Sequence, residues 1–257
     1  MKLPFDTLDR HFSLPEVRRV GLDRPLAWLK AGWRDLRGNP VPSLAYGLLF
    51  GIAGDLILLA SLNHPHLFTA AISGFFILAP LLAAGLYELS RQRALGKFPT
   101  FIESLAHLGR RAETLAQLGL VLALLALVWE RTSAIMFAML GGSAGVDATH
   151  FLTQILASGE HRGFVAAWFI VGGCLALLTF AISVVSVPMI LDRDCDVITA
   201  MMSSLRAFAV NLEPLVLWSA MIVFLTLLGF ATLLFGLIFF MPLLGHASWH
   251  AYKDLVK

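Results

Sequence analysis

Asp55 stands in the run Gly51-Ile52-Ala53-Gly54-Asp55, inside an apolar stretch long enough to cross a bilayer. An ionised side chain near mid-bilayer costs about 2.5–3.5 kcal/mol on insertion scales, so it calls for a partner, a water-filled cavity or a proton. Two chemistries follow from that: a proton or cation site on a path through the membrane, or a polar tie to a hydroxyl such as Ser183 or Ser186. His246 and His250, one helical turn apart around Trp249, have the spacing of two metal ligands, with His107 as a candidate third. A haem would also want an axial histidine. The competing reading is a polar aromatic belt at the membrane surface, where Trp249 and Tyr252 also fit. Asp192, Asp194 and Asp196 surround Arg193 and Cys195. A calcium loop would need a turn glycine and a bidentate glutamate, both missing. Capping of a helix that starts near residue 197 explains these acids better.

No phosphate-binding glycine loop, HExxH or Gly-x-Ser-x-Gly elbow is present. The expectation is therefore no enzyme and no cofactor. Cys174 and Cys195 lie twenty-one residues apart, roughly 30 Å along a helix, so no disulfide framework or zinc spacing arises.

Hydrophobic residues make up 58% of the 257 positions and charged ones 14%, against about 25% charged in a soluble domain. The fold class is an all-α polytopic transmembrane bundle. Spans are expected at 42–62, 67–87, 112–129 and 164–191, with two more from the single apolar stretch 214–249. That stretch is long for one crossing and tight for two; Gly229 and Gly236 offer a place to turn, and one very long helix is the competing reading. Of the nineteen Lys and Arg, eight precede the first span, five lie between the second and third, two between the fourth and fifth, and two follow the last. Only Arg131 and Arg162 fall on the other side. Positive residues mark cytoplasmic loops, so both termini are expected in the cytoplasm, and the C-terminal lysines favour the hairpin. Residues 1–38 carry no early apolar core, which leaves the first span in the mature chain.

Each pair of spans follows a segment with helical apolar spacing. The stripes are Leu22, Leu26, Leu29, Trp33 and Leu36; Phe98, Phe101, Ile102, Leu105 and Leu108; and Ile198, Met201, Met202, Leu205 and Phe208. Arg34, Asn39 and Pro42 match Arg206, Asn211 and Pro214 in spacing, and Pro80-Leu81-Leu82 matches Pro242-Leu243-Leu244, with Pro188 similarly placed. The expectation is one membrane domain over 22–257 behind a cytoplasmic segment 1–21. It holds three parallel repeats at about 22–97, 98–194 and 195–257, with an outer insertion at about 130–163. That insertion suits a cavity cover, a docking segment or a loop lying on the membrane. Basic amphipathic helices beside a bilayer lie in the headgroup plane. Arg24, Arg34, Arg110, Arg111 and Arg206 are thus expected to face anionic headgroups, and no nucleic-acid face is expected.

Pro25-Leu26-Ala27-Trp28-Leu29, Gly32-Trp33-Arg34-Asp35-Leu36, Ser43-Leu44-Ala45-Tyr46-Gly47, Leu191-Asp192-Arg193-Asp194 and Pro242-Leu243-Leu244-Gly245-His246 through Tyr252 resemble a family of bacterial integral membrane proteins filed as domain of unknown function 2189. The resemblance runs over roughly 17–256. It implies a bacterial inner membrane and a six-span body, and carries no activity. The expected role is a non-catalytic accessory, assembly or lipid-organising protein, with a membrane-protein partner or a second copy beside it. The alternative is a small transporter or channel using Asp55.

Overall fold

A computed structural model describes residues 14–63, 79–139 and 162–257. Most of span two, the core of the outer insertion and the start of the N-terminal segment lie outside the described residues. The described helices are α1 (Arg24–Gly38), α2 (Pro40–Asn63), α3 (Ala84–Ala94), α4 (Phe101–Gly109), α5 (Ala112–Met139), α6 (Arg162–Ser183), α7 (Ser186–Asp192), α8 (Val197–Val210), α9 (Leu212–Ala231) and α10 (Leu237–Leu255). Among the described residues every regular element is a helix. Among the described residues, the segments 112–136, 162–192 and 212–231 are long and apolar enough to cross a membrane.

The chain forms two compact units. The first comprises residues 1–51, 80–118 and 180–257 and is built around α10. From Met241 to Trp249 every residue of α10 is buried. A helix closed off all round needs neighbours that come close, and small residues supply the space. A Cβ on Gly32 of α1 would sit 2.6 Å from the backbone nitrogen of Ala247, and one on Gly47 of α2 would fall on the carbonyl of Ile238.

The three amphipathic helices pack the opposite way from a soluble protein. Much of each apolar stripe points outward: Leu22, Leu26 and Trp33 beside α1, Phe98, Ile102 and Leu105 around α4, and Ile198 on α8 are exposed, whereas Leu36 is buried and Met201, Met202, Leu205 and Phe208 are half-buried. Their buried faces carry Pro25, Trp28, Ala31, Gly32, Asp35 and Leu36; Ser104; and Ala200, Ser203, Ser204 and Ala207. Against hydrocarbon, hiding a leucine gains little, so small and hydrogen-bonding residues make most of these contacts, joined on α1 by Trp28 and Leu36.

The stretch 214–249 is two helices. The chain reverses over 232–236, and Trp218 near the start of α9 meets Trp28, whose indole reaches Asp254 near the end of α10. The left-handed residues of the turn are Leu233 (φ 52°) and Leu234 (φ 68°), not the expected glycines. Gly229 and Gly236 instead let the helix ends touch: a Cβ on Gly236 would lie 2.9 Å from Gly229 Cα.

Span four is interrupted at Val184–Val185, ahead of Pro188. Ser204 of α8 fills the gap, accepting from the Val185 amide (3.1 Å) and donating to Ala181 O (2.7 Å). A neighbouring hydroxyl thus satisfies backbone groups that the break releases.

The second unit comprises 52–79 and 119–179. Trp129 of α5 packs on Trp168 of α6 (centroids 5.2 Å apart), and Trp168 donates to Ser133 (2.9 Å). The helix runs to Met139, so 130–139, expected in the outer insertion, belongs to α5.

Candidate functional site

The polar chemistry of the first unit gathers on α10 and the helices around it. Asp35, on the buried face of α1, is 8% exposed. Its Oδ2 accepts from His250 Nε2 (2.8 Å) and from Ser90 Oγ (2.7 Å), and Oδ1 faces Arg93 Nε at 3.1 Å. Burial alone would raise this carboxyl's pKa, but the bonds from His250 and Ser90 outweigh it and hold it below the ordinary aspartate value.

His246, 1% exposed, sits between two hydroxyls: Ser43 Oγ lies 2.9 Å from Nε2 and Ser90 Oγ 2.7 Å from Nδ1. Ser43 spends its proton on Asn39 O (2.7 Å), so it accepts from His246 Nε2–H. Ser90 has one proton and two neighbours that can take it. Either His246 carries both ring protons, or one of those two contacts holds no hydrogen. The result is a continuous chain Ser43–His246–Ser90–Asp35–His250 that joins four helices, α2, α10, α3 and α1.

A second cluster lies on the other flank of α3. Glu88, 1% exposed, accepts from Arg91 Nε (2.7 Å) and Gln92 Nε2 (2.7 Å), with His107 Nδ1 at 3.5 Å. At the end of α10, the Tyr252 hydroxyl donates to Asp192 (2.9 Å) and Lys253 Nζ lies 3.0 Å from the same oxygen. Burial and the Asp192 charge push the Tyr252 pKa upward. Trp249 and Tyr252 are buried at 1% and 0% exposure and pack together, which corrects their placement in an interfacial belt. The Tyr252 hydroxyl has its partners, Asp192 and Arg193, inside the unit, so it needs no surface position.

Three ties join helix junctions to the segments leading into other helices. Asn39, between α1 and α2, donates to Pro99 O just before α4 (2.9 Å). Arg111, between α4 and α5, pairs with Asp194 just before α8. Asn211, between α8 and α9, donates to Arg18 O (2.9 Å) and accepts from the Val20 amide (2.8 Å), just before α1. The C-terminus closes beside them through an antiparallel bridge between Val17 and Val256.

The expected site residues scatter. Asp55 is exposed on α2 within the second unit, with no partner among the described residues. The hydroxyl of Ser183 bonds Phe180 O in its own helix, and that of Ser186 reaches back across the break to Ile182 O of α6. His246 and His250 share one network, but His107 belongs to the Glu88 cluster. Among the described residues, no group of three or more His, Cys, Asp or Glu is placed to hold a metal, so the three-histidine ligand set is not assembled. His64 and His66 lie outside the described residues. Arg24 pairs with Asp254 (2.6 Å), which raises its pKa. Arg34 and Arg110 are exposed, and Arg206 is half-buried. Asp196 caps α8, accepting from the Thr199 amide (2.9 Å), as the capping argument expects. Sequence reasoning passed over Asp35, Glu88, Ser43 and Ser90. Asp35 was legible in retrospect, because it shares a helical face with Trp28, Ala31 and Gly32 and not with the charged residues around it.

An all-helical body with spans of membrane length defines an integral membrane protein. Residues 67–192 match the family model described as predicted integral membrane protein (DUF2189), the family that the sequence motifs resemble. No curated protein and no solved structure matches the chain.

Proposed function

We propose that this chain is a non-catalytic accessory protein of the bacterial inner membrane. It carries six spans, both termini in the cytoplasm and three parallel repeats, and it organises anionic lipid or a membrane-protein partner at the cytoplasmic face. The observation that carries this reading is the cyclic set of ties. Asn39 reaches the segment before α4, Arg111 the segment before α8, and Asn211 the segment before α1. A junction behind each amphipathic helix grips the approach to the next, and the third returns to the first. Such closure suits repeats around an axis along the membrane normal. The buried ionisable groups of the first unit are engaged inside it, Asp35 and His246 in one network and Glu88 in another, as befits a scaffold, while exposed apolar residues and Arg34 and Arg110 face outward toward lipid.

The transporter reading keeps one supporting observation: helices break at Ala83 and at Val184–Val185, close to Pro80 and Pro188. Discontinuous helices at membrane depth often mark transport sites, although Ser204 seals the second break. Proteoliposomes holding wild type or Asp55→Asn, assayed for proton and cation flux beside a pull-down, separate the two. Equal flux with a partner or lipid recovered supports the scaffold; flux that disappears in Asp55→Asn establishes the transporter.

A further inference from the structure

A groove of about 370 Å³ opens between α1 and α10. Its α1 wall is one helical face: Arg24, Ala27, Ala31 and Arg34, spaced three, four and three residues apart. Its α10 wall supplies His250, Lys253 and Asp254. The two alanines leave the floor shallow, and the charged groups stand at its rim.

The charges do not cancel. Asp254 is the one carboxylate lining the groove, and its Oδ2 already takes Arg24 Nε (2.6 Å) and Trp28 Nε1 (2.9 Å). Lys253 spends one of its three ammonium donors on Asp192. Arg34 is exposed and has no hydrogen bond or ion pair among the described residues. Three cations thus line the groove; two are held by carboxylates, Arg24 by Asp254 and Lys253 by Asp192, and Arg34 keeps a guanidinium fork that matches tetrahedral oxyanions.

The internal repeat strengthens the case. Counting from the prolines of the matched Pro-Leu-Leu segments, Lys253 lies eleven residues after Pro242 and Arg91 eleven after Pro80. Arg91, paired with Glu88, lines a smaller groove of about 160 Å³ beside α4, together with Arg110, Arg111 and the carboxylates Glu88 and Asp192. A cation recurs at the same register, beside arginines that lie on the amphipathic helix in the first groove (Arg24, Arg34) and just after it in the second (Arg110, Arg111).

We propose that the α1–α10 groove binds a phosphate group, that of an anionic phospholipid headgroup. The lipid source rests on the topology argued above, which puts α1 in the headgroup layer with Leu22, Leu26 and Trp33 exposed beside the groove. The phosphate chemistry rests only on the residues.

The test uses the full chain in neutral detergent, with native mass spectrometry of retained phosphatidylglycerol against phosphatidylcholine. Inorganic phosphate is run separately, read by the thermal unfolding midpoint. Wild type retains phosphatidylglycerol selectively. Arg34→Gln weakens retention about fivefold, Arg34→Lys recovers part of it, and Lys30→Gln, an exposed cation outside the groove, leaves it unchanged. Arg34 holds no partner among the described residues, so its variants test binding and not folding. Equal losses in Arg34→Gln and Lys30→Gln reduce the effect to diffuse surface charge and overturn the site. Stabilisation by inorganic phosphate that Arg34→Gln abolishes, with no lipid retained, upholds the phosphate site and moves its ligand into solution. Loss of ion flux in Asp55→Asn alongside intact Arg34-dependent retention would remove the scaffold reading and leave the groove.

Discussion

Asp35→Asn is the sharpest probe of the network around α10. The substitution keeps the shape and leaves one acceptor oxygen. If that oxygen replaces Oδ2, it still meets Ser90 and His250, but the new amide group then faces Arg93 Nε, donor against donor. Turned the other way, it keeps Arg93 and opposes the other two. At least one charge-assisted bond is lost either way, about 1.5–3 kcal/mol for a buried one. The Arg93 and His250 side chains are 28% and 32% exposed, so water screens part of the loss. About 1.5 kcal/mol is the expected destabilisation, a midpoint roughly 3–6 °C lower for a chain of this length.

Acid supplies an independent check. The Asp35 carboxyl lies below its ordinary value in the folded chain, and its unfolded value is about 3.9. Its contribution is therefore complete above about pH 4 and disappears as pH falls through the lower folded value. The gap between wild type and Asp35→Asn should stay constant from about pH 7 to 5 and close below about 4. Thermal unfolding in detergent across that range measures it. No gap at neutral pH, or a gap that widens in acid, would refute the reasoning.

Asn211→Ala removes a buried side chain that holds Arg18 O and the Val20 amide; a loss of about 2 kcal/mol and faster proteolysis at 14–22 are expected, read by limited digestion. Gly47→Ala drives a methyl into the Ile238 carbonyl, and overpacking against backbone should lower stability by about 1–3 kcal/mol, whereas Gly173→Ala, inside α6 with open space around it, should raise stability by up to about 1 kcal/mol in the same unfolding assay. Leu234→Gly relieves a left-handed leucine at φ 68° and should raise stability by up to about 1 kcal/mol; a lower midpoint would count against the turn geometry.

The amphipathic helices were legible because helical spacing shows in the letters, yet the direction they face was not. A stripe such as Leu22, Leu26 and Trp33 reads the same whether it meets a protein core or lipid. The ligand reading of His107, His246 and His250 failed for a related reason. Spacing along one helix places His246 and His250 together, but says nothing of Asp35 arriving from α1 or Glu88 from α3. The matched Asn39 and Asn211 were visible as a repeat, and their common task as clasps was not.

What the sequence determined alone is the class: long uncharged runs need hydrocarbon, charges gather where water is, and prolines, glycines and capping acids mark helix ends. Those are local facts of solvation and backbone geometry, each written within about twenty neighbouring residues. What only the tertiary structure decided is the pairing of distant polar groups: Asp35 with His250, Asn211 with Arg18, Arg24 with Asp254. Such pairs depend on which helices pack and in what register. That choice is made by the close approach of Gly32 and Gly47 to α10, a property of the assembled chain and of no single segment.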